Sequence, residues 1–263
     1  MAEEGVGPGA GGRRRIVAVS HKTYLGYATT LSWLEAAGSE GRASEGRAEG
    51  LDVVVFPVAP ALPAAVSLGA GGAFSVGAQD VSERPAGAFT GELPAQLLAE
   101  MGVGYVEIGH AERRFLFGES AEVIGRKVQQ SLAHGLVPLV CVGEGRLGDT
   151  TPIDAEQAVR LAGGQLAEVL ELLPNECPVV AAYEPVWAIG ADEPAPVEHV
   201  RTVTARLRSL LEPFPAARVI YGGTAGPGLF SQLSGAVDGL FLGRRAHDPA
   251  AFAEVLAEVI AAG

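Results

Sequence analysis

The chain is predicted to fold as one α/β domain, a closed (β/α)₈ barrel. Eight short apolar runs alternate with longer amphipathic stretches along its whole length. Runs that are apolar throughout belong to parallel strands covered on both faces by helices. Eight such units favour closure into a barrel over an open doubly wound sheet. The 263 residues also suit a single barrel, which takes about 250.

Taken in order, residues 1–14 are Gly-rich and charged and are expected to form a disordered tail, leaving 15–263 for the barrel domain. The start has no apolar h-region, so it does not read as a secretory signal. Strands are expected at Ile16–Val19, Leu51–Phe56, Ser75–Ala78, Tyr105–Ile108, Val137–Val142, Val179–Ala182, Val219–Tyr221 and Gly239–Leu242. Helices are expected at Tyr27–Ala37, Pro94–Met101, Ala121–His134, Asp154–Leu173, Val197–Leu211 and Pro249–Ala261. Two of these carry clear start signals. Asp154 has Gln157 three residues on, and Asp248-Pro249 supplies an N-cap and a first-turn proline. Gly38–Gly50 is rich in Gly, Ser, Glu and Arg and is expected to be a flexible surface loop.

Composition narrows the partners. A hydrophobic fraction of 48% supports a large core, and a formal charge of -12 argues against nucleic-acid or anionic-membrane surfaces. Any phosphate site must then be built locally, from a few basic side chains and backbone N–H groups. The two cysteines, Cys141 and Cys177, imply no disulfide framework and fit a reducing, cytoplasmic setting. No apolar run approaches the roughly 20 residues that span a membrane. His134, His199 and His247 have no metal-ligand spacing, so no metal is expected.

Barrels place their chemistry at the C-terminal ends of strands. The run Ala182-Tyr183-Glu184-Pro185-Val186-Trp187-Ala188-Ile189-Gly190 is the most telling of these ends. Pro185 pushes Glu184 into extended geometry, so its carboxylate projects from a strand terminus. Small residues ending in Gly190 suit a movable lid. A lone carboxylate beside Trp187 under such a lid suits proton abstraction. Alone, the run fits equally well a Glu that caps a loop or pairs with an Arg. Other strand ends add to it. Ser20-His21-Lys22 follows strand one, and Gly109-His110-Ala111-Glu112 follows strand four. Gly222-Gly223-Thr224 follows strand seven, and Gly243-Arg244 follows strand eight.

Together these ends match a phosphorylated, carbonyl-bearing substrate. Glu184 is the candidate base. His110 is the candidate electrophile, kept neutral by the helical turn that it precedes. Lys22 offers a point charge for an enediolate and phosphate, with Glu112 as the partner that holds it. Gly222, Gly223 and Gly243 let backbone N–H groups approach a phosphate where barrels commonly bind one. Cys141 reads as a small buried residue beneath the site.

The ordered segments Gly109–Arg114 with Phe117-Gly118-Glu119, Cys141–Glu144, Ala182–Gly190 and Tyr221–Thr224 resemble the triosephosphate isomerase family. Val76–Asp80 and Gly87–Glu92 resemble its third loop, and the likeness runs from Ile16 to about Ala261. The resemblance implies a TIM barrel with no cofactor, moving a proton between adjacent carbons of a small phosphorylated sugar. It implies Glu184 as base, His110 as electrophile and Lys22 as electrostatic stabiliser, with Gly190 and Thr224 among the substrate-binding positions. Triosephosphate isomerase is itself the standing example of a neutral histidine electrophile and of lid closure, so those two roles come with the resemblance. It also implies a homodimer in which Gly87–Glu92, with Phe89 and Thr90 at its tip, supports the partner's Lys-bearing loop.

Four departures bear on substrate. Ser20-His21-Lys22-Thr23-Tyr24 stands where the family generally has Asn-Trp-Lys-Met-Asn, so a serine replaces a substrate-contacting amide. Ala111 replaces a usual serine, and Ala191–Pro196 replaces a Thr-Gly-Lys-type lid segment. Two acids at that lid tip, Asp192 and Glu193, oppose binding of a dianion unless they point outward. Gly243-Arg244 replaces the usual Gly-Gly, with Arg244 adding bulk and charge at the phosphate site. The serine and the Gly-Arg resemble the branch that isomerises erythrulose phosphates. The first expectation is interconversion of dihydroxyacetone phosphate and glyceraldehyde 3-phosphate. The alternatives are L-erythrulose 1-phosphate / D-erythrulose 4-phosphate isomerisation and a catalytically degenerate sugar-phosphate sensor.

Overall fold

The computed structural model describes residues 13–43 and 50–262. The strands are β1 (Arg15–Ser20), β2 (Leu51–Phe56), β3 (Ser75–Ala78), β4 (Tyr105–Ile108), β5 (Val137–Val142), β6 (Val180–Tyr183), β7 (Arg218–Tyr221) and β8 (Gly239–Leu242). They are parallel, lie in sequential order and close into a barrel, with β8 pairing back to β1 through Ile16 and Gly239. The fold expectation holds.

Period-two alternation divides the strand side chains between two cores. Ile16 and Ala18 point into the barrel with Phe56, Leu139, Cys141, Ala182, Ile220 and Phe241. Val17 and Val19 point outward into the layer between sheet and helices, with Val55, Val106, Ile108 and Val140. Each such buried aliphatic side chain contributes roughly 1.5–3 kcal/mol, so a one-residue slip in any strand would exchange two cores at once. Gly77 shows how tightly the interior is filled: a Cβ there would sit 2.2 Å from the Phe56 ring.

The helices are α1 (Tyr27–Ala43), α2 (Leu62–Gly69), α3 (Ala95–Glu100), α4 (Ala111–Leu116), α5 (Ala121–Ala133), α6 (Ala155–Leu170), α7 (Val197–Leu210), α8 (Leu229–Leu233) and α9 (Pro249–Ala261). Asp154 and Asp248 cap α6 and α9, accepting from Gln157 N at 2.9 Å and Ala250 N at 3.0 Å. Helix α1 corrects one expectation. It runs through Gly38 and Gly41 to Ala43 instead of ending at Ala37. Its face of Thr30, Trp33, Leu34 and Ala37, spaced i, i+3, i+4, i+7, is buried, which outweighs the ~1 kcal/mol penalty of a helical glycine. Residues 44–49 of the expected loop, and 1–12 of the expected tail, lie outside the described residues. Arg14, at the inner end of that tail, pairs with Asp52 at 2.6 Å. Helices α2 and α8 were not foreseen; both are short, and neither offers a polar N-cap side chain. Among the described residues no helix is long and apolar enough to cross a membrane.

Candidate active site

A cavity of about 570 Å³ opens at the C-terminal end of the barrel. Its wall brings together Ser20, Lys22, His110, Glu112, Glu184, Gly190, Gly223, Thr224, Gly243 and Arg244 from five strand ends and the lid. Of the site residues expected from sequence, Gly222 alone stands off the wall. It lies behind the base: a Cβ at 222 would be 2.6 Å from Glu184 Oε1, so the glycine makes room for the carboxylate.

Glu184 follows β6 directly and is buried. Burial pushes its carboxyl up to about 7, against the opposing pull of Lys22 and Cys141 and with a further push from Glu112. Across from it, His110 caps α4, its Nδ1 accepting the Glu112 backbone N–H at 3.1 Å. In the neutral ring the proton must then sit on Nε2. Burial, and secondly the Lys22 charge, lowers His110 to about 3 and holds it neutral. Nε2 lies 3.5 Å from Glu184 Oε2, and among the described residues neither atom has a hydrogen-bond partner. A neutral N–H donor and a desolvated carboxylate therefore face the same space.

Lys22 has a left-handed backbone, φ 46°, a conformation that costs a non-glycine residue about 1 kcal/mol or more. Two contacts hold it there. Gln79 Nε2 donates to the Lys22 carbonyl at 2.9 Å, and Lys22 Nζ donates to Glu112 Oε1 at 2.8 Å. Burial works against the ammonium, but Glu184 and Glu112 outweigh it and raise its pKa. Gln79 has a positioning role that the sequence did not single out, although it lies inside a motif already noted.

The lid is tied at both ends. Trp187 Nε1 donates to the buried Glu144 at 2.8 Å, and Val186 N donates to the Glu144 carbonyl at 2.9 Å. At the far end Tyr221 Oη accepts from Ala195 N at 3.0 Å. Thr224 Oγ1 donates to the Ala188 carbonyl at 2.8 Å and to the Ala191 carbonyl at 3.0 Å. Arg244 reaches the Gly190 carbonyl at 3.2 Å, and Arg245 donates to the Asp192 carbonyl. Asp192 lines the cavity, as do both arginines, while Glu193 is absent from its wall. Glu144, Tyr221 and Arg245 act on the lid through bonds that only three-dimensional proximity reveals.

The triosephosphate isomerase family model matches residues 15–259. The chain belongs to the triosephosphate isomerase family. It is 45% identical to an L-erythrulose-1-phosphate isomerase of Pectobacterium atrosepticum, over 94% of this chain and 96% of that protein. It is 43% identical to a triosephosphate isomerase of Azoarcus sp., over 69% of this chain and 75% of that one. A triosephosphate isomerase of Chloroflexus aurantiacus is 35% identical over 92% and 97%. Family membership makes the chain an isomerase and accounts for the ordered motifs at its strand ends.

Proposed function

We propose that the chain is a cofactor-free isomerase of small phosphorylated sugars, working through an enediolate, with L-erythrulose 1-phosphate as its preferred substrate and dihydroxyacetone phosphate as a poorer one. The observation that carries the chemistry is the facing pair of unpartnered groups, Glu184 Oε2 and His110 Nε2, beside the Lys22 ammonium. Glu184 takes the proton from the carbon next to the carbonyl. His110 Nε2–H and Lys22 stabilise the negative charge that develops on the enediolate oxygens. Glu184 then returns the proton to the former carbonyl carbon, while the hydroxyl proton passes from the old hydroxyl oxygen to the old carbonyl oxygen in the same sense, so the product is an isomer and the enzyme is regenerated. Gly223, Thr224, Gly243 and Arg244 supply the phosphate end, and the lid over Gly190 excludes water.

Two observations move the four-carbon substrate ahead of the triose expectation. Identity to the erythrulose-phosphate enzyme extends over nearly the whole of both chains, and Ser20 and Arg244, two departures from the family pattern, both line the cavity. The test is kcat/KM for L-erythrulose 1-phosphate and dihydroxyacetone phosphate, measured side by side. A preference of tenfold or more for the four-carbon ketose supports the reading, and the reverse preference restores the triose pair. Binding of both without turnover or solvent-deuterium exchange would leave a sensor. We further propose a cytoplasmic homodimer built on Gly87–Glu92, where Phe89 stands exposed at the tip. Light scattering at micromolar concentration decides the dimer.

A further inference from the structure

Beneath the reacting groups lies a second acid that the chemistry above does not use. Glu107 belongs to β4, whose Val106 and Ile108 face the outer core and whose Tyr105 packs against the barrel interior. Alternation therefore turns Glu107 inward. Ser20 is turned inward by the same rule, two residues beyond Ala18 on β1. Glu107 is 4% exposed and Ser20 2%. Among the described residues, Glu107 Oε2 and Ser20 Oγ each lack a hydrogen-bond partner. A fold rarely leaves two such groups unpaired, since each forfeits a hydrogen bond without escaping desolvation. Burial, then the Glu184 charge, pushes the Glu107 carboxyl up to about 8, while Lys22 and the Ser20 hydroxyl pull the other way. Ser20 is thus near enough for its hydroxyl to act on the Glu107 carboxyl as a hydrogen-bond donor, although no well-aligned bond joins them. At neutral pH Glu107 is mainly a carboxylic acid, able both to donate and to accept.

The shape of the substrate says what these groups would meet. Dihydroxyacetone phosphate ends at its reacting carbons, whereas L-erythrulose 1-phosphate carries one more CH₂OH beyond them. With phosphate held near Gly223 and Gly243 and the reacting carbons between Glu184 and His110, that extra group lies at the end of the substrate remote from the phosphate. Ser20, a polar group of the cavity wall without a well-aligned partner among the described residues, is available to meet it. We infer that Ser20, on the cavity wall, and Glu107, buried beside it, form a hydroxyl-binding subsite that takes the terminal CH₂OH of a four-carbon ketose phosphate. This rests on the substrate reading above and makes Glu107 the residue that reads chain length.

The test compares the wild type with Glu107→Leu, Glu107→Gln and Ser20→Ala, scored by the ratio of kcat/KM on L-erythrulose 1-phosphate to that on dihydroxyacetone phosphate. Glu107→Leu should lower the ratio at least about tenfold, the loss of one hydrogen bond with its partner left unpaired. Glu107→Gln, which keeps a donor and an acceptor, should retain most of it, and Ser20→Ala should lower it by a smaller factor. An unchanged ratio in Glu107→Leu, or equal losses on both substrates, would overturn the subsite while leaving the substrate reading intact. A wild-type enzyme that prefers the triose would overturn the substrate reading itself, and the subsite with it. If Glu107→Leu does not fold, an unchanged ratio in Ser20→Ala overturns the proposal equally well.

Discussion

The two ends of this barrel treat polar side chains in opposite ways. At the N-terminal end Arg218 donates to Asp52 and, at 3.1 Å, to the Tyr105 hydroxyl, and Arg14 donates to Asp52 as well. Asp238, nearby in the sheet, accepts from Arg208 at 3.2 Å and from Val219 N at 2.8 Å. At the C-terminal end Ser20, Glu107, His110 and Glu184 all hold buried atoms without a partner among the described residues. Paired groups at one end bind the strands together. Unpaired groups at the other are costly in the free protein, and on the function proposed above a bound substrate would complete them.

The carboxyl groups register the same contrast. Burial would raise Asp52, but the Arg14 hydrogen bond and the Arg218 charge outweigh it and hold it below its ordinary value. Its contribution to folding is full at neutral pH and is lost as pH falls through that depressed value. Glu184 is shifted the other way, to about 7. The folded protein holds that proton more tightly than the unfolded chain does. Its contribution is full below the ordinary carboxylate range and is lost as pH rises through about 7.

The largest effect should come from breaking the unpaired end. Glu184→Gln keeps the shape and removes the base, so turnover on the true substrate should fall by about 10²–10⁴-fold or more while phosphorylated ligands still bind. A variant that kept near-normal turnover would remove Glu184 from the mechanism. Breaking the paired end should act on stability. Arg218→Met leaves Tyr105 without this donor and Asp52 with only Arg14, and should destabilise by about 2 kcal/mol in denaturant unfolding. Its kcat/KM per folded molecule should stay within about twofold, since distant sites act independently. A large loss of specific activity there would mean that the two ends are coupled.

Most of the barrel was legible because parallel buried strands leave an unbroken apolar signature. All eight strands fall within one residue of expectation at each end. The misses have local causes. The glycines at 38 and 41 read as a loop, yet they sit on a helix anchored by Trp33 and Leu34. The lining of the candidate site was legible wherever a residue lies just past a strand, as Lys22, His110 and Glu184 do. It was obscure where the site's geometry depends on contact between distant segments, as with Tyr221 and Ala195 or Gln79 and Lys22. Glu107 is the instructive omission. An acid inside the apolar run Tyr105–Ile108 breaks the pattern of a buried strand, and that break was itself a signal.

The central claim is that the unpaired end gives up stability for function, and thermal unfolding of Glu184→Gln against the wild type from pH 5 to pH 8 tests it most directly. With the base replaced by a neutral amide, the Tm of the variant should match or exceed that of the wild type. The gap should widen as pH rises through about 7, where the wild-type carboxyl must ionise in a buried site. A variant that unfolds well below the wild type throughout, with no trend in pH, would make Glu184 a structural group like Asp52 and contradict the account.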